Sequence, residues 1–186
     1  MTKYLLLVLV ALGTFFSSCV LQAQEAEEIS PEKQAVIGWV LYQAKTDMIS
    51  YAEARWIVEN AYWHSYRLHL DPALVLAVMR VESRFNAKAS STEGARGLMQ
   101  VIPYWHKKAL GGRSPYIPEV NIEVGVGILE ACMSKSKGNM LKSLNCYSGG
   151  GGQKYLNLVR AHQKDLTKTV VYALFDKPRD VMIASN

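Results

Sequence analysis

The 186-residue chain has the composition of an ordinary soluble protein, with 49% hydrophobic and 20% charged residues. This balance excludes disordered, collagen-like and coiled-coil classes, and the length suffices for one domain with a sizeable core. The formal net charge of +5 is spread along the chain without a block of Lys or Arg. The clustered basic stripe of a nucleic-acid-binding protein is therefore missing, and we expect no nucleic-acid partner.

The first residues predict export. Lys3 precedes the apolar run from Tyr4 to Phe16, which is short for a membrane span and typical of a signal-peptide core. We expect a signal peptide over residues 1–23, with cleavage after Ala23, and a periplasmic product. Lipidation at Cys19 is the alternative. In that compartment a mildly basic protein suits an anionic polymer of the cell envelope.

Either way of processing the leader leaves two cysteines, Cys132 and Cys146. An even pair in an oxidising compartment predicts a disulfide, and closing this loop would contribute about 3 kcal/mol in the chain-entropy model. Two buried free thiols are the alternative. Cys132 fits that alternative because it lies on an apolar helical face. Cys146 does not, because it lies outside the apolar stripe of the predicted helix at 140–147.

The chain from Pro31 onward begins with two predicted helices. The first runs to about Lys45, and the S-x-x-E pattern of Ser50 and Glu53 is a capping box that begins the second. We interpret the aromatic cluster of the second helix as core packing rather than as a sugar-stacking platform, because aromatic residues at helical spacing are usually interior. The large residues of this helix are Trp56, Ile57, Trp63 and Tyr66.

A third, buried helix is predicted from the apolar run DPALVLAVMRV, which Asp71 opens as N-cap and Pro72 as first helical residue. It delivers Glu82 at its C-terminal end, where burial and the negative end of the helix dipole raise the pKa of a carboxyl group. A raised pKa suits a general acid. An ion pair with Arg80 or Arg84 is the alternative interpretation.

The second half of the chain is also predicted to be helical. A Gly/Pro-rich loop at 111–118 precedes a helix from Asn121, and a turn at 135–139 precedes a short helix at 140–147. Close packing is expected to fix Gly125 and Gly127, since each weakens the helix by about 1 kcal/mol relative to Ala. A last helix runs from Gln153 to about Leu166. Strand-like alternation is nearly absent, so the fold class is mainly α.

Metal and cofactor sites have no support in the sequence. The four histidines are scattered, no H-E-x-x-H pattern occurs, and the two remaining cysteines lack the spacing of a zinc site. The run Gly149 to Gly152 lacks the G-K-[ST] ending of a phosphate-binding loop. We therefore expect neither a metal nor a cofactor.

The run from Glu82 to Pro103 reads E-S-x-F-N-x-x-A-x-S-x-x-G-A-x-G-L-M-Q-V-x-P. It resembles the signature of the soluble-type lytic transglycosylases, relatives of goose-type lysozyme. Later motifs of that family also find counterparts, at Asn121, at 146–150, and at Tyr155 with Val159. The resemblance implies a mainly α, lysozyme-like catalytic domain, which we place at 24–166 with a C-terminal tail at 167–186.

The resemblance also implies roles for individual residues. Glu82 is similar to the family's catalytic acid and base, and Tyr155 to the tyrosine that hydrogen-bonds it. Gln100, with the backbone around Met99, looks like a contact to sugar amides. Ser148 departs from the family's usual Asn and puts one sugar contact in doubt. The implied substrate-binding residues are Ser91, Met99, Gln100, Tyr147, Ser148 and Tyr155.

The activity implied is cleavage of the β-1,4 bond between N-acetylmuramic acid and N-acetylglucosamine in peptidoglycan, with 1,6-anhydro ends. Glu93 and Asp71 are the candidates for a second carboxylate, but a turn and a helix cap explain them better, which favours a one-carboxylate mechanism. A lysozyme-type hydrolase and a non-catalytic peptidoglycan-binding envelope protein are the alternatives. We expect a monomer, and the small size favours service to an envelope-spanning machine.

Overall fold

Helices make up nearly all the regular structure of the computed structural model, which describes residues 29–44 and 49–176. The expected signal peptide and Cys19 lie outside the described residues. No β-strand occurs in the described ranges, which confirms the mainly α class. The helices are α1 (Pro31–Ala44), α2 (Tyr51–Arg67), α3 (Pro72–Ser83), α4 (Lys107–Leu110), α5 (Pro118–Lys135), α6 (Met140–Tyr147) and α7 (Gly152–Val171), followed by a π-helical turn at Tyr172–Asp176.

Helix α3 lies at the centre of the core. Asp71 caps it by accepting a hydrogen bond from the Ala73 amide at 2.9 Å, and Pro72 occupies its first turn, both as predicted. The six residues from Leu74 to Met79 are at most 2% exposed, so this helix is covered on every side. It packs between α2 and α7. A helix fixed in this way holds the residues of its last turn in a defined position.

The aromatic cluster of α2 is not core, and that prediction is wrong. Trp63 and Tyr66 are 61% and 63% exposed, and Arg67 stacks over the Trp63 ring at 5.7 Å. The face of α2 that packs inward carries small and medium side chains, which let the neighbouring helices approach closely. Its buried residues are Ala54, Ile57, Val58, Ala61 and Ser65. The capping box of Ser50 and Glu53 is present as predicted.

Helix α5 begins three residues before the predicted start, with Pro118 in its first turn and Asn121 one turn inside. The predicted close packing requires glycine at Gly125 but not at Gly127. A Cβ on Gly125 would lie 2.5 Å from the Met99 Cβ, whereas Gly127 has open space around it. Gly125 therefore lets α5 approach the segment that carries Met99.

We expect Gly125→Ala and Gly127→Ala to change stability in opposite directions. Alanine at Gly127 gains about 1 kcal/mol of helix propensity without a clash. At Gly125 the overlap with Met99 outweighs that gain, since overpacking costs about 1–3 kcal/mol. Urea unfolding of the two variants measures the difference, and equal free energies of unfolding would contradict the close approach.

Helix α7 continues past the predicted end at Leu166 to Val171. Thr167 and Thr169 have low helix propensity, and their hydroxyls donate to the carbonyls one turn back, of Gln163 and Asp165, at 3.0 Å. Packing of the buried Leu166 holds this last stretch against the core. The helix therefore runs five residues into the stretch that the prediction assigned to the C-terminal tail.

The structure pairs Cys132 of α5 with Cys146 of α6 as a disulfide, with an S–S distance of 2.04 Å. The bond joins the end of one helix to the end of the next across the turn at 136–139. Cys132 is buried and Cys146 exposed, as their positions relative to the apolar stripes indicated. No helix of the described residues is long and apolar enough to cross a membrane.

Candidate active site

The chain reverses direction directly after Glu82, which lies in the last turn of α3. Arg84 and Phe85 both adopt the left-handed conformation, with φ of 54° and 64°. This conformation is costly for a bulky residue such as Phe. Phe85 is held there because its ring is fully buried and packs edge-on against Trp39 at 5.9 Å. The reversal lets the following segment return alongside the carboxyl group.

The Glu82 carboxyl group is partly buried, and Tyr155 of α7 donates a hydrogen bond to its Oε1. Burial raises the pKa of Glu82, and the hydrogen bond from Tyr155 opposes part of that rise. Burial and the nearby Glu82 also raise the pKa of Tyr155, so its hydroxyl stays a donor. The hydrogen bond is the one that the family resemblance implied.

The alternative interpretation of Glu82 as an ion-pair partner is wrong. Among the described residues, no ion pair includes Glu82, Arg80 or Arg84. Arg80 instead donates from Nε to Oε1 of Gln43 at 2.7 Å. The acid therefore keeps a raised pKa that a neighbouring guanidinium would have lowered.

One wall of the cleft is formed by the segment 89–101, which folds back on itself through Arg96. The Arg96 amide donates to the Val101 carbonyl at 3.0 Å, and the Val101 amide donates to the Arg96 carbonyl at 2.9 Å. Gly97 has a φ of 75°, and a Cβ there would lie 2.5 Å from Nδ2 of Asn121. Only glycine fits both the conformation and the space. This loop presents Gln100 to the cleft.

Asn121 of α5 holds that loop in place through hydrogen bonds from its side chain. Its side chain is fully buried, and its Oδ1 accepts from the Met99 amide at 2.7 Å. Its Nδ2 donates to the carbonyls of Arg96 and Pro115, both at 2.7 Å. One amide group thus satisfies three backbone groups, and the position of the cleft wall depends on it.

Tyr147 holds the same wall through the other backbone group of Met99. Its hydroxyl donates to the Met99 carbonyl at 2.8 Å, and burial, followed by the charge of Glu82, raises its pKa well above the ordinary value. Both backbone groups of Met99 therefore have internal partners. The Met99 amide is not available to a ligand, because it donates to Asn121. A sugar contact through the rest of the backbone around Met99 stays a prediction.

The predicted site residues line one cleft of about 520 Å³, within the range of ligand pockets. Glu82 lies beside Tyr155, and the wall residues and the α6–α7 connection face them. The structure thus brings together all seven residues of the predicted catalytic and substrate-binding set. Those residues are Glu82, Ser91, Met99, Gln100, Tyr147, Ser148 and Tyr155.

Local hydrogen bonds limit what three of these side chains offer to a ligand. Gln100 donates from Nε2 to the carbonyls of Gly97 at 2.9 Å and Ala89 at 3.3 Å. Ser91 accepts from the Ala95 amide at 3.2 Å, and Ser148 accepts from the Gly151 amide at 2.8 Å. The Gln100 carbonyl oxygen and the two hydroxyl protons are the groups left to face the cleft.

The cleft also contains residues that the sequence reasoning did not place there. Glu93, which was assigned to a turn, lines it as an exposed carboxylate, while Asp71 lies outside it. Trp105 and His106 follow the quoted motif and line the cleft as well. The continuation of the motif by two aromatic residues, Tyr104 and Trp105, was a signal that could have been noticed.

We expect Glu82→Gln to stabilise the fold in a pH-dependent way. Because the folded-state pKa lies above the ordinary 4.5, the stability contributed by the neutral acid is fully present below pH 4.5. It is lost as pH rises through the folded pKa, when the charged form must be accommodated in a partly buried site. Gln cannot become charged, so its advantage should be absent near pH 4 and constant above the folded pKa.

Thermal unfolding from pH 4 to 8 measures this difference between the wild type and Glu82→Gln. For a protein of this size, each 1 kcal/mol shifts the melting temperature by about 2–4 °C. Comparison at pH 4 is the internal control, because the wild-type carboxyl group is then largely neutral. A difference that does not change with pH would contradict the raised pKa.

The fold and the cleft define a helical domain with one shielded carboxylic acid beside a glycine-containing wall. The model of the transglycosylase SLT domain family matches residues 60–169, and the chain belongs to this family. This membership agrees with the lysozyme-like domain that the resemblance implied.

Two curated relatives illustrate the similarity. The chain is 37% identical over 89 residues to the transglycosylase of Enterobacteria phage PRD1, which covers 48% of this chain and 33% of the phage protein. It is 30% identical over 132 residues to the membrane-bound lytic murein transglycosylase C of Yersinia pestis, covering 62% of this chain and 36% of that protein. The chain thus spans about a third of the length of these relatives.

A solved structure is also similar, that of an inactive mutant of the lytic transglycosylase Slt from Pseudomonas aeruginosa. The match has a TM-score of 0.48 and 20% identity, and it covers 62% of this chain and 23% of the other.

No group of His, Cys, Asp or Glu that could hold a metal ion occurs in the part of the chain that the structure describes.

Proposed function

We propose that this protein is a peptidoglycan lytic transglycosylase, with Glu82 as its catalytic acid and base. The observation that carries the proposal is the partly buried Glu82, free of ion pairs and hydrogen-bonded by Tyr155, at a cleft of about 520 Å³. Membership of the transglycosylase SLT domain family and the names of the relatives support it.

The reaction uses the two protonation states of Glu82 in turn. The neutral acid donates its proton to the glycosidic oxygen between N-acetylmuramic acid and N-acetylglucosamine, and that bond breaks. The acetamide of the substrate stabilises the oxocarbenium-like centre. The Glu82 carboxylate then accepts the proton of the muramic acid C6 hydroxyl, whose oxygen attacks C1 and closes the 1,6-anhydro ring. No water is consumed, and Glu82 ends in its starting state.

The raised pKa of Glu82 fits the first step, and Tyr155 fits the second. A shielded carboxyl group holds its proton nearer to neutral pH than an exposed one does. Once the proton has left, the Tyr155 hydroxyl donates to the carboxylate and stabilises it. Gln100 can accept a sugar acetamide N–H through its carbonyl oxygen, since its amide nitrogen is bound to the loop.

Ser148 takes a smaller part in this scheme than the family's Asn. Its side chain has no amide, and its oxygen accepts from the Gly151 amide within its own loop. We therefore assign Ser148 to shaping the α6–α7 connection, with its hydroxyl proton as the remaining group for a sugar. The oxygen of Ser91 is also occupied, because it accepts a hydrogen bond from the Ala95 amide within the wall segment 89–101.

A lysozyme-type hydrolase is the second candidate, and one observation favours it. Glu93 lines the cleft as a second carboxylate, and inverting glycosidases use a second carboxylate to activate a water molecule. The two reactions leave different products, because transfer to the C6 hydroxyl gives anhydro ends and hydrolysis gives reducing ends.

Digestion of purified peptidoglycan, followed by mass spectrometry of the fragments, tests the proposal. We expect 1,6-anhydro-muramic acid ends. Hydrated reducing ends would establish the hydrolase instead. Intact glycan strands that retain bound protein would identify a non-catalytic peptidoglycan-binding protein.

We place the protein in the bacterial envelope as an exported enzyme. The apolar leader and the Cys132–Cys146 pair support export, because disulfides persist in the periplasm. The intact mass of the exported protein, with and without reductant, tests the disulfide, cleavage after Ala23 and the lipid anchor on Cys19 together.

A further inference from the structure

Two large aromatic side chains stand exposed where the cleft wall ends. Trp105 is 72% exposed and Tyr104 is 68% exposed, although Trp105 lines the same cleft as Glu82. Leaving this much aromatic surface in water forgoes a large hydrophobic contribution. Adjacent exposed apolar surface of this kind at a cleft marks a binding site more often than an accident of packing.

The pair is held in place, so its rings form a defined surface. The backbone turns tightly after the wall, because the amides of Trp105 and His106 both donate to the Ile102 carbonyl at 3.2 Å. The Tyr104 and Trp105 rings meet edge-on at 4.8 Å with an interplanar angle of 85°. Lys107 places its ammonium group 5.2 Å from the centre of the Tyr104 ring. The indole is thus braced on one side and open on the other.

The cleft continues past this surface. His106, the neighbour of Trp105, also lines a second groove of about 610 Å³ that runs along α5. Ile128 and Cys146 line both spaces as well, so the two grooves adjoin. A ligand that occupies the cleft meets Trp105, and one that extends into the second groove passes His106, the next residue. This continuity suits a polymer better than a small molecule.

We infer that Trp105, braced by Tyr104, is a stacking platform for a pyranose ring of an N-acetylated glycan strand, at a subsite outside the one that holds the cleaved bond. The C–H groups on the face of a pyranose ring carry partial positive charge, which the negative face of an aromatic ring attracts. The inference rests on the proposed function in taking a glycan as the ligand. Trp105 acts as a binding residue that leaves the proton transfers of Glu82 unchanged.

The test measures binding without turnover. In the Glu82→Gln background, oligomers of N-acetylglucosamine from two to six units are titrated by calorimetry and by tryptophan fluorescence. We expect affinity to rise with chain length, and Trp105→Ala to weaken the longest oligomer about tenfold, the size of a strong aromatic contact. Trp105→Phe, which keeps a ring, should recover part of the affinity, and loss of the indole should remove most of the fluorescence change.

Trp63 provides the matched control, because it is 61% exposed on α2 and does not line the cleft. Trp63→Ala should bind every oligomer as the parent does. Equal affinities of the Trp105→Ala and Trp63→Ala proteins would overturn the inference that Trp105 is a stacking platform. The inference would also be overturned if none of the oligomers bound. If the oligomers bind through Trp105 but peptidoglycan digestion gives no cleavage, the platform stands and the proposed function fails.

Discussion

Glu82→Gln is expected to reduce glycan cleavage by at least about 1000-fold. One carboxyl group supplies both the proton for the leaving oxygen and the base for the C6 hydroxyl, and general acid–base catalysis contributes about 10²–10⁴-fold in each such role. The amide of Gln keeps an oxygen that can accept the hydrogen bond from Tyr155, so the cleft should retain its shape. The measurement is the rate of anhydro-end formation from purified peptidoglycan.

Glu93→Gln separates the one-carboxylate mechanism from its alternative. Under the proposed mechanism this variant keeps its rate within about tenfold of the wild type, because Glu93 transfers no proton. A loss as large as that of Glu82→Gln would indicate a second catalytic carboxylate and favour hydrolysis. Substantial cleavage by the Glu82→Gln protein would remove Glu82 from the mechanism altogether.

The position of Glu82 at the end of a buried helix could be predicted from the sequence, because it depends on residues that are near it in the chain. Asp71 and Pro72 mark where α3 begins, and together with the apolar run that follows they predict a buried helix. The length of that helix then puts the carboxyl group at its end. The capping box at Ser50 and the short helix at 140–147 were predictable for the same reason, since each depends on neighbouring residues.

The aromatic residues show where local pattern fails. Helical spacing indicates that Trp56 and Trp63 share a face, but it does not say whether that face meets the core or the solvent. In the structure, the small residues Ala54 and Ala61 meet the core, because close approach of helices buries more surface than bulky side chains would allow. The same limit concealed Trp105, whose exposure depends on how the chain turns after Ile102.

The groups that hold the cleft wall could not be predicted either, because their partners are distant in sequence. Asn121 binds the Met99 amide across 22 positions, and Tyr147 binds the Met99 carbonyl across 48. Asn121 entered the sequence reasoning only as a helix start. Its buried side chain instead supplies partners for the Met99 amide and the Pro115 carbonyl and adds a second donor to the Arg96 carbonyl. The wall of the candidate site is therefore a product of tertiary folding.

Asn121→Ala is expected to lower the free energy of unfolding by about 3–5 kcal/mol. The change leaves the Met99 amide and the Pro115 carbonyl without a partner, and each unsatisfied group costs about 1–3 kcal/mol. The Arg96 carbonyl loses one of its two donors and keeps the Val101 amide. A loss of this size is a large part of the stability of an ordinary domain. Urea unfolding measures it, and Asn157→Ala, at an exposed position of α7, should stay within about 0.5 kcal/mol of the wild type.

Asn121→Asp tests whether the instability comes from loss of the Nδ2 hydrogen-bond donors or from loss of side-chain volume. Asp keeps the size of the side chain and an oxygen for the Met99 amide, but it turns oxygen toward the two carbonyls that Nδ2 now serves. The buried charge adds to this cost, so we expect Asn121→Asp to be at least as unstable as Asn121→Ala at neutral pH and to recover partly as the pH is lowered. Stability near that of the wild type in either variant would show that the cleft wall does not depend on this amide.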